Sequence, residues 1–198
     1  MGQAERGRKV LSELVRITIA LVLSALLGVT SLYTLSGTDG LGAVESGVWR
    51  SWKNPADPDS WPYARLHFLL QDRLPPSRFL STVFIAESDD EGRVLSAACV
   101  YRLTGRLPPT RWWSLNIEAV DDDAHMQSAA SLSSEDAMIL PDGSVSVAIS
   151  RLFQSGNWLP TPREGHFRII LSLHGISPLL RERLNTLTMP RIIREGCS

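Results

Sequence analysis

The chain has 198 residues, with 20 Lys and Arg against 21 Asp and Glu, a net charge of −1. Setting aside the first 38 residues, which hold four basic and two acidic side chains, leaves 16 against 19, a net −3. Such a slightly acidic remainder has no electrostatic footprint for nucleic acid, and its length suits one domain with a proper core.

Residues 1–16 form a basic start with Arg6, Arg8, Lys9 and Arg16, and residues 17–38 carry no charge. At about 1.5 Å rise per residue, an uncharged run of this length matches the roughly 30 Å hydrocarbon core of a bilayer. Ten strongly apolar residues between Ile17 and Leu35 favour insertion by about 3–6 kcal/mol, and five hydroxyl residues and Gly28 offset part of this. A cleavable signal peptide would have a shorter apolar region and an A-x-A-like site; Thr34-Leu35-Ser36 is a poor match. The expectation is therefore a retained single-pass anchor in contact with lipid from Ile17 to Leu35. The basic flank stays cytoplasmic and everything from about Asp39 lies across the membrane. Residues 39–48 read as a flexible tether, and 49–198 as the domain.

Within that domain, Ser60–Arg73 reads as the only helix beyond the anchor, capped by Asp59 or Ser60, with Pro62 in the first turn and Leu66, Leu69 and Leu70 on one face. From Phe79 the pattern becomes β-type. Phe79–Glu87 and Arg93–Thr104 flank Ser88–Gly92 as a hairpin, and Trp112–Val120 follows Pro108-Pro109. Ala137–Leu140 and Ser144–Arg151 flank Pro141-Asp142-Gly143, the best local hairpin signal. Phe167–His174 and a short Arg191–Arg194 complete the set. Period-2 alternation puts Val145, Val147 and Ile149 on one side of their strand, does the same for Phe167, Ile169, Leu171 and Leu173, and turns Trp113, Leu115 and Ile117 inward. Short strands separated by turn signals, with one short helix at the front, predict a mainly β protein: a β-sandwich or jelly roll behind an N-terminal transmembrane helix.

Several motifs, in order, resemble the bacterial domain of unknown function 1214 family in a short, membrane-anchored form. They are Trp49-Arg-Ser-Trp52, Tyr63-Ala-Arg65, Asp90-Glu-Gly-Arg93, Cys99-Val-Tyr-Arg102, Pro108-Pro-Thr-Arg-Trp-Trp-Ser-Leu115, Asp142-Gly-Ser144, Asn157-Trp-Leu-Pro160 and Pro190-Arg-Ile192. Two departures stand out: Leu171-Ser-Leu-His174 where the family usually has Leu-Arg-Leu-Tyr, and Asn116-Ile-Glu-Ala-Val-Asp121 where it has a Thr-Leu-Tyr-Asp-like strand end. The resemblance implies a jelly-roll-like sandwich over residues 49 to 194 and no established reaction.

Chemistry is sparse in the sequence. No Gly-x-Ser-x-Gly elbow occurs, and His67, His125, His166 and His174 lack metal-ligand spacing. Asp121-Asp-Asp-Ala-His125 reads as a solvated loop, so no metal, cofactor or catalytic residue is assigned. Arg111 and Trp112, with Asn116, Asn157 and Trp158, form the candidate binding set, because indoles stack on sugar rings and guanidinium donates a planar fork. The competing reading makes Trp158 a plug at one end of the sandwich and Asn157 the satisfier of a turn. Cys99 and Cys197 can pair across the membrane, or remain a buried strand thiol and a terminal one. The sequence thus predicts a module of the bacterial inner membrane with a periplasmic domain that binds an envelope polymer or protein partner. Its alternatives are an envelope glycan- or lipid-acting enzyme using Glu118, Asp142 or a His, and a structural ectodomain that self-associates as a homo-oligomer.

Overall fold

A computed structural model of the chain describes residues 2–37, 43–52, 56, 81–120 and 131–197. The chain divides into two compact units, Met1–Leu41 and Gly42–Ser198. The expected helix Ser60–Arg73 with His67, and the Asp121–His125 loop, lie outside the described residues.

The first unit is one helix, α1 (Gly2–Gly37), longer than the uncharged run alone predicts. Its stretch long and apolar enough to cross a membrane is Glu13–Thr34, and there the large apolar side chains are exposed, Leu27 at 71%. Three of the five hydroxyls that weaken the hydropathy signal bond to the helix's own carbonyls. Thr18 Oγ1 donates to the Leu14 carbonyl at 2.8 Å, Ser24 Oγ to Leu21 at 2.9 Å and Thr34 Oγ1 to Thr30 at 2.9 Å. A hydroxyl bonded in this way costs less in an apolar phase than a free one.

The second unit is a two-sheet β-sandwich. One sheet has six strands: β1 (Ala43–Ser46), β2 (Trp49–Trp52), β3 (Ser81–Ala86), β5 (Trp112–Ala119), β6 (Ser131–Ser133) and β9 (Phe167–His174). Their spatial order is β1-β2-β3-β9-β5-β6. The other has four: β4 (Cys99–Gly105), β7 (Val145–Ile149), β8 (Asn157–Leu159) and β10 (Arg191–Cys197), ordered β10-β4-β7-β8. Phe167, Ile169, Leu171 and Leu173 meet Trp113, Leu115, Ile117, Val145, Val147 and Ile149 between the sheets, all buried. Each of the three sets keeps the shared side that period-2 alternation gives, and that side is the core in every case. Trp52 and Ile85 form a smaller buried cluster on the opposite face of the six-stranded sheet.

Local pattern and structure part company at the joints. The expected hairpin Phe79–Glu87/Arg93–Thr104 closes only locally, with a bridge between Ser88 and Val94, and then the chain changes sheets. Residues 93–98 do not extend β4 because their backbone bonds go elsewhere: Ala97 N–H donates to Gly165 and the Leu95 carbonyl accepts from Phe167. Ala137–Leu140 is likewise reduced to one bridge, Ile139 to Val145, although the Asp142-Gly143 turn forms with Gly143 at φ +80°. β1 begins at Ala43, inside the expected tether. The short helix is α2 (Pro178–Glu182), capped by Ser177, whose Oγ accepts from Leu180 N. β8 is a strand where a turn was expected, and it runs parallel to β7.

The loop between β3 and β4 is held by a carboxylate. Asp89 is 1% exposed; its Oδ1 accepts from the Glu91 and Arg93 amides at 3.1 and 3.0 Å, and its Oδ2 from Arg93 Nε at 2.9 Å. Arg194 Nε lies 3.1 Å from the same Oδ2 as an ion pair, outside hydrogen-bonding geometry, while Arg194 Nη2 donates to the Val94 carbonyl. Burial pushes the Asp89 carboxyl up, but the Arg93 and Glu91 hydrogen bonds and the Arg93 charge outweigh it and hold it below its ordinary value. A depressed carboxylate stabilises the fold above its unfolded pKa of about 3.9, and that contribution is lost as pH falls through the lower folded value. Asp89→Asn should therefore lower unfolding free energy near neutrality by roughly 1–3 kcal/mol and flatten the acid limb of a stability–pH curve from denaturant melts; an unchanged acid limb would contradict the assignment.

β10 is longer than the predicted Arg191–Arg194 because it continues past an irregularity at Glu195 to pair Cys197 with Cys99. The two cysteines face each other across β10 and β4, Cα atoms 3.9 Å apart, and are joined as a disulfide closing a separation of 98 residues. In the chain-entropy account a loop near 100 residues is worth about 4.7 kcal/mol. Cys197→Ser, or reductant on the wild type, should lower the unfolding free energy by up to that amount in urea titrations of the full chain in detergent. Superimposable titrations would contradict it.

Candidate functional site

The structure does not bring the predicted binding set together. Trp112 and Asn116 belong to the six-stranded sheet, with Arg111 just before its strand β5, and Asn157 and Trp158 belong to the four-stranded one. Trp113 and Leu159 point into the core, so their neighbours Trp112 and Trp158 emerge on opposite outer faces of the sandwich. Sequence proximity to Pro and Trp could not reveal this, since the two motifs lie on different sheets.

Trp112 sits opposite His174 across β5 and β9, with ring centroids 4.4 Å apart and planes tilted by 54°. The strand ends are laced beneath them: Arg111 N–H donates to the His174 carbonyl at 3.0 Å, and a Cβ on Gly175 (φ +70°) would come within 2.9 Å of Arg111 Cβ. Only glycine fits there, and that fixes where Arg111 leaves the sheet. The His174 that departs from the family pattern is thus half of an aromatic platform.

Asn157 is occupied by the fold. Its Oδ1 accepts from Met138 N at 2.7 Å, and its Nδ2 donates to the Met138 and Ser146 carbonyls at 2.8 and 3.1 Å. Trp158 Nε1 donates to the Ser150 carbonyl at 3.1 Å, and its ring meets Phe153 edge-on at 5.4 Å. Trp158 is half-buried on the sheet's outer side, so it does not plug the sandwich.

The carboxylates nominated for acid–base work are engaged in structure. Glu118 Oε2 accepts from Arg168 Nε at 3.0 Å. That pair ends a ladder of alternating charge across the outer face: Glu45–Arg50 at 3.5 Å, Arg50–Glu87 and Glu87–Arg168 at 3.9 Å each. Asp142 accepts from the Ser144 hydroxyl and amide at 2.7 and 3.0 Å, and those bonds hold its carboxyl below the ordinary value. A general acid near neutral pH needs the opposite shift.

A cleft of about 470 Å³ was not foreseen. It is lined by Ser46, Gly47, Val48 and Trp49 from the β1–β2 turn, by Leu187, Met189, Pro190 and Arg191, and by Asp90. Trp49 Nε1 donates to the Pro190 carbonyl at 2.7 Å and Ser46 Oγ to Leu187 at 2.6 Å, which ties the two ends of the domain together. At the rim, Arg191 Nε donates to Asp90 Oδ2 at 2.7 Å. The walls lie 141 residues apart in the chain, so no local signal could assemble them.

Residues 81–178 match a family model described as "Protein of unknown function (DUF1214)". Those residues belong to the DUF1214 family. The match is narrower than the 49–194 that the motifs suggest. Of the cleft, only Asp90 lies inside the DUF1214 stretch, and the aromatic platform and Asn157-Trp158 lie wholly within it. A search of curated proteins finds no match. Among solved structures, the VPA0106 protein from Vibrio parahaemolyticus shares the fold, with a TM-score of 0.61 at 15% identity, over 87% of this chain and 43% of that one. An uncharacterized protein from Burkholderia cenocepacia gives a TM-score of 0.49 at 18% identity, over 85% of this chain and 41% of that one. The chain therefore spans less than half the length of either structure.

Removing Asn157's three hydrogen bonds takes the side-chain partner from part-buried backbone groups of Met138 and Ser146. Asn157→Ala should cost roughly 1–3 kcal/mol in thermal unfolding, with no change in the stacking of Trp112 on His174.

Proposed function

We propose that the protein is a single-pass module of the bacterial inner membrane, its N-terminus cytoplasmic and its β-sandwich periplasmic, that binds an envelope polymer or protein partner without catalysing a reaction. The observation that carries the non-catalytic part is the engagement of Glu118 and Asp142, one in a charge ladder and the other pulled to lower pKa by Ser144. A carboxylate spent on an arginine or a turn is a poor proton shuttle, whereas Trp112 on His174 offers a ready stacking surface. The Glu13–Thr34 stretch supports the anchor, and the cross-strand cysteine pair suits an oxidising compartment.

Isolated cell-wall sacculi, or a crosslinked envelope protein, should retain the detergent-solubilised chain, and Trp112→Ala should weaken that retention. Release of soluble fragments from sacculi by the wild type but not by Glu118→Gln would overturn the reading in favour of an enzyme.

A further inference from the structure

The cleft between the β1–β2 turn and the approach to β10 has no part in the polymer-binding reading, and its lining is of two kinds. Val48 and Met189 are half-buried and pack against the sandwich core; with Leu187, Pro190 and the Trp49 indole they make an apolar wall. At the rim stand Arg191 and Asp90, joined by Arg191 Nε donating to Asp90 Oδ2 at 2.7 Å. That bond leaves most of both groups unused. Arg191 engages only its Nε, so Nη1 and Nη2 have no partner among the described residues, and the side chain is 70% exposed. A carboxylate offers about four lone-pair sites, and Asp90 accepts at two, from Arg191 Nε and from Ile192 N. A volume of about 470 Å³ falls within the range of roughly 300–1,000 Å³ typical of small-molecule sites, which share this pattern of apolar walls with a few polar groups.

We propose that the cleft holds a free α-amino acid with a large apolar side chain, its carboxylate on Arg191 and its ammonium on Asp90. Charge balance selects this class. The β3–β4 loop and β10 bring together three carboxylates, Asp89, Asp90 and Glu91, and three guanidiniums, Arg93, Arg191 and Arg194, in paired contacts. Their charges cancel, so a net anion or a net cation finds no opposite excess to attract it. A zwitterion meets the rim pair with one charge of each sign. The spacing agrees as well: an α-amino acid carries both charged groups on one carbon, and Arg191 and Asp90 present theirs in direct contact. The free Nη groups of Arg191 donate to the ligand carboxylate, and the ligand ammonium donates to an open lone pair of Asp90. The side chain then lies along Val48, Leu187 and Met189, where removing its apolar area from water adds to the charge-assisted bonds. A small amino acid could pair with the rim but would leave that wall wet. The inference goes beyond the polymer reading, since it uses neither Trp112 nor His174.

The full chain in detergent is titrated with phenylalanine by calorimetry, and saturable binding at one site per chain is expected. Phenylalaninamide lacks the carboxylate, N-acetylphenylalanine the ammonium and alanine the apolar bulk; each should bind more weakly by about tenfold or more. These comparisons use the unaltered protein, so they do not depend on the folding of a variant. Arg191→Gln and Met189→Ala should each weaken phenylalanine binding by a similar factor, with circular dichroism checking that the strands are kept. No saturable binding of phenylalanine would overturn the proposal. So would N-acetylphenylalanine binding as tightly as phenylalanine, which would assign the cleft to the carboxy end of a peptide. Binding that survives both substitutions unchanged would place the ligand elsewhere and reject the cleft.

Discussion

A helix whose large apolar side chains are exposed around its whole circumference is stable only where its solvent is also apolar. That constraint governs the proposed reading. The Glu13–Thr34 stretch bonds its own backbone and ties several of its hydroxyls to carbonyls one turn back. Lipid would then be asked to dissolve little besides hydrocarbon. In that proposed reading the basic flank would set the compartment, and an oxidising compartment would suit the Cys99–Cys197 bridge.

Inside the domain, stability is concentrated where distant segments close on one another. β10 is the last strand and it is fastened three ways: by its ladder to β4, by the Cys99–Cys197 bridge, and by carboxylates of the β3–β4 loop. Asp90 receives Ile192 N and Arg191 Nε, and its own N–H donates to Ile192. The cleft lies beside this junction, built from the first hairpin and the approach to the last strand. The DUF1214 stretch supplies most of the sandwich interior, with Trp49, Leu184, Leu187 and Ile192 added from outside it, and the flanking segments supply most of the cleft.

Residues whose burial follows from their own neighbours were legible in the sequence. Phe167–His174 matches its predicted limits and Trp112–Val120 misses by one residue, because both are long strands with one core face. What depended on distant pairing was not legible. β1, β6 and β8 have only three or four residues each, too few for a periodic signal. Arg93–Thr104 looks continuous in sequence because nothing local reveals that Leu95 accepts from Phe167 and that Ala97 donates to Gly165. Glu118 looked like an isolated acid until β9 brought Arg168 beside it, and the ladder from Glu45 to Glu118 needs four strands and the end of a fifth segment in register. The platform of Trp112 and His174 was half visible: the indole was singled out, while the histidine registered only as a loss from the family pattern.

The central claim is that the chain crosses the membrane once, with the sandwich outside the cytoplasm, and a fusion after Ser198 tests it most directly. A phosphatase reporter at that position, active only when exported, should be active in cells, while a fluorescent reporter that matures only in cytosol should stay dark. The opposite pattern, together with recovery of the uncleaved chain in the soluble cytosolic fraction, would contradict the account.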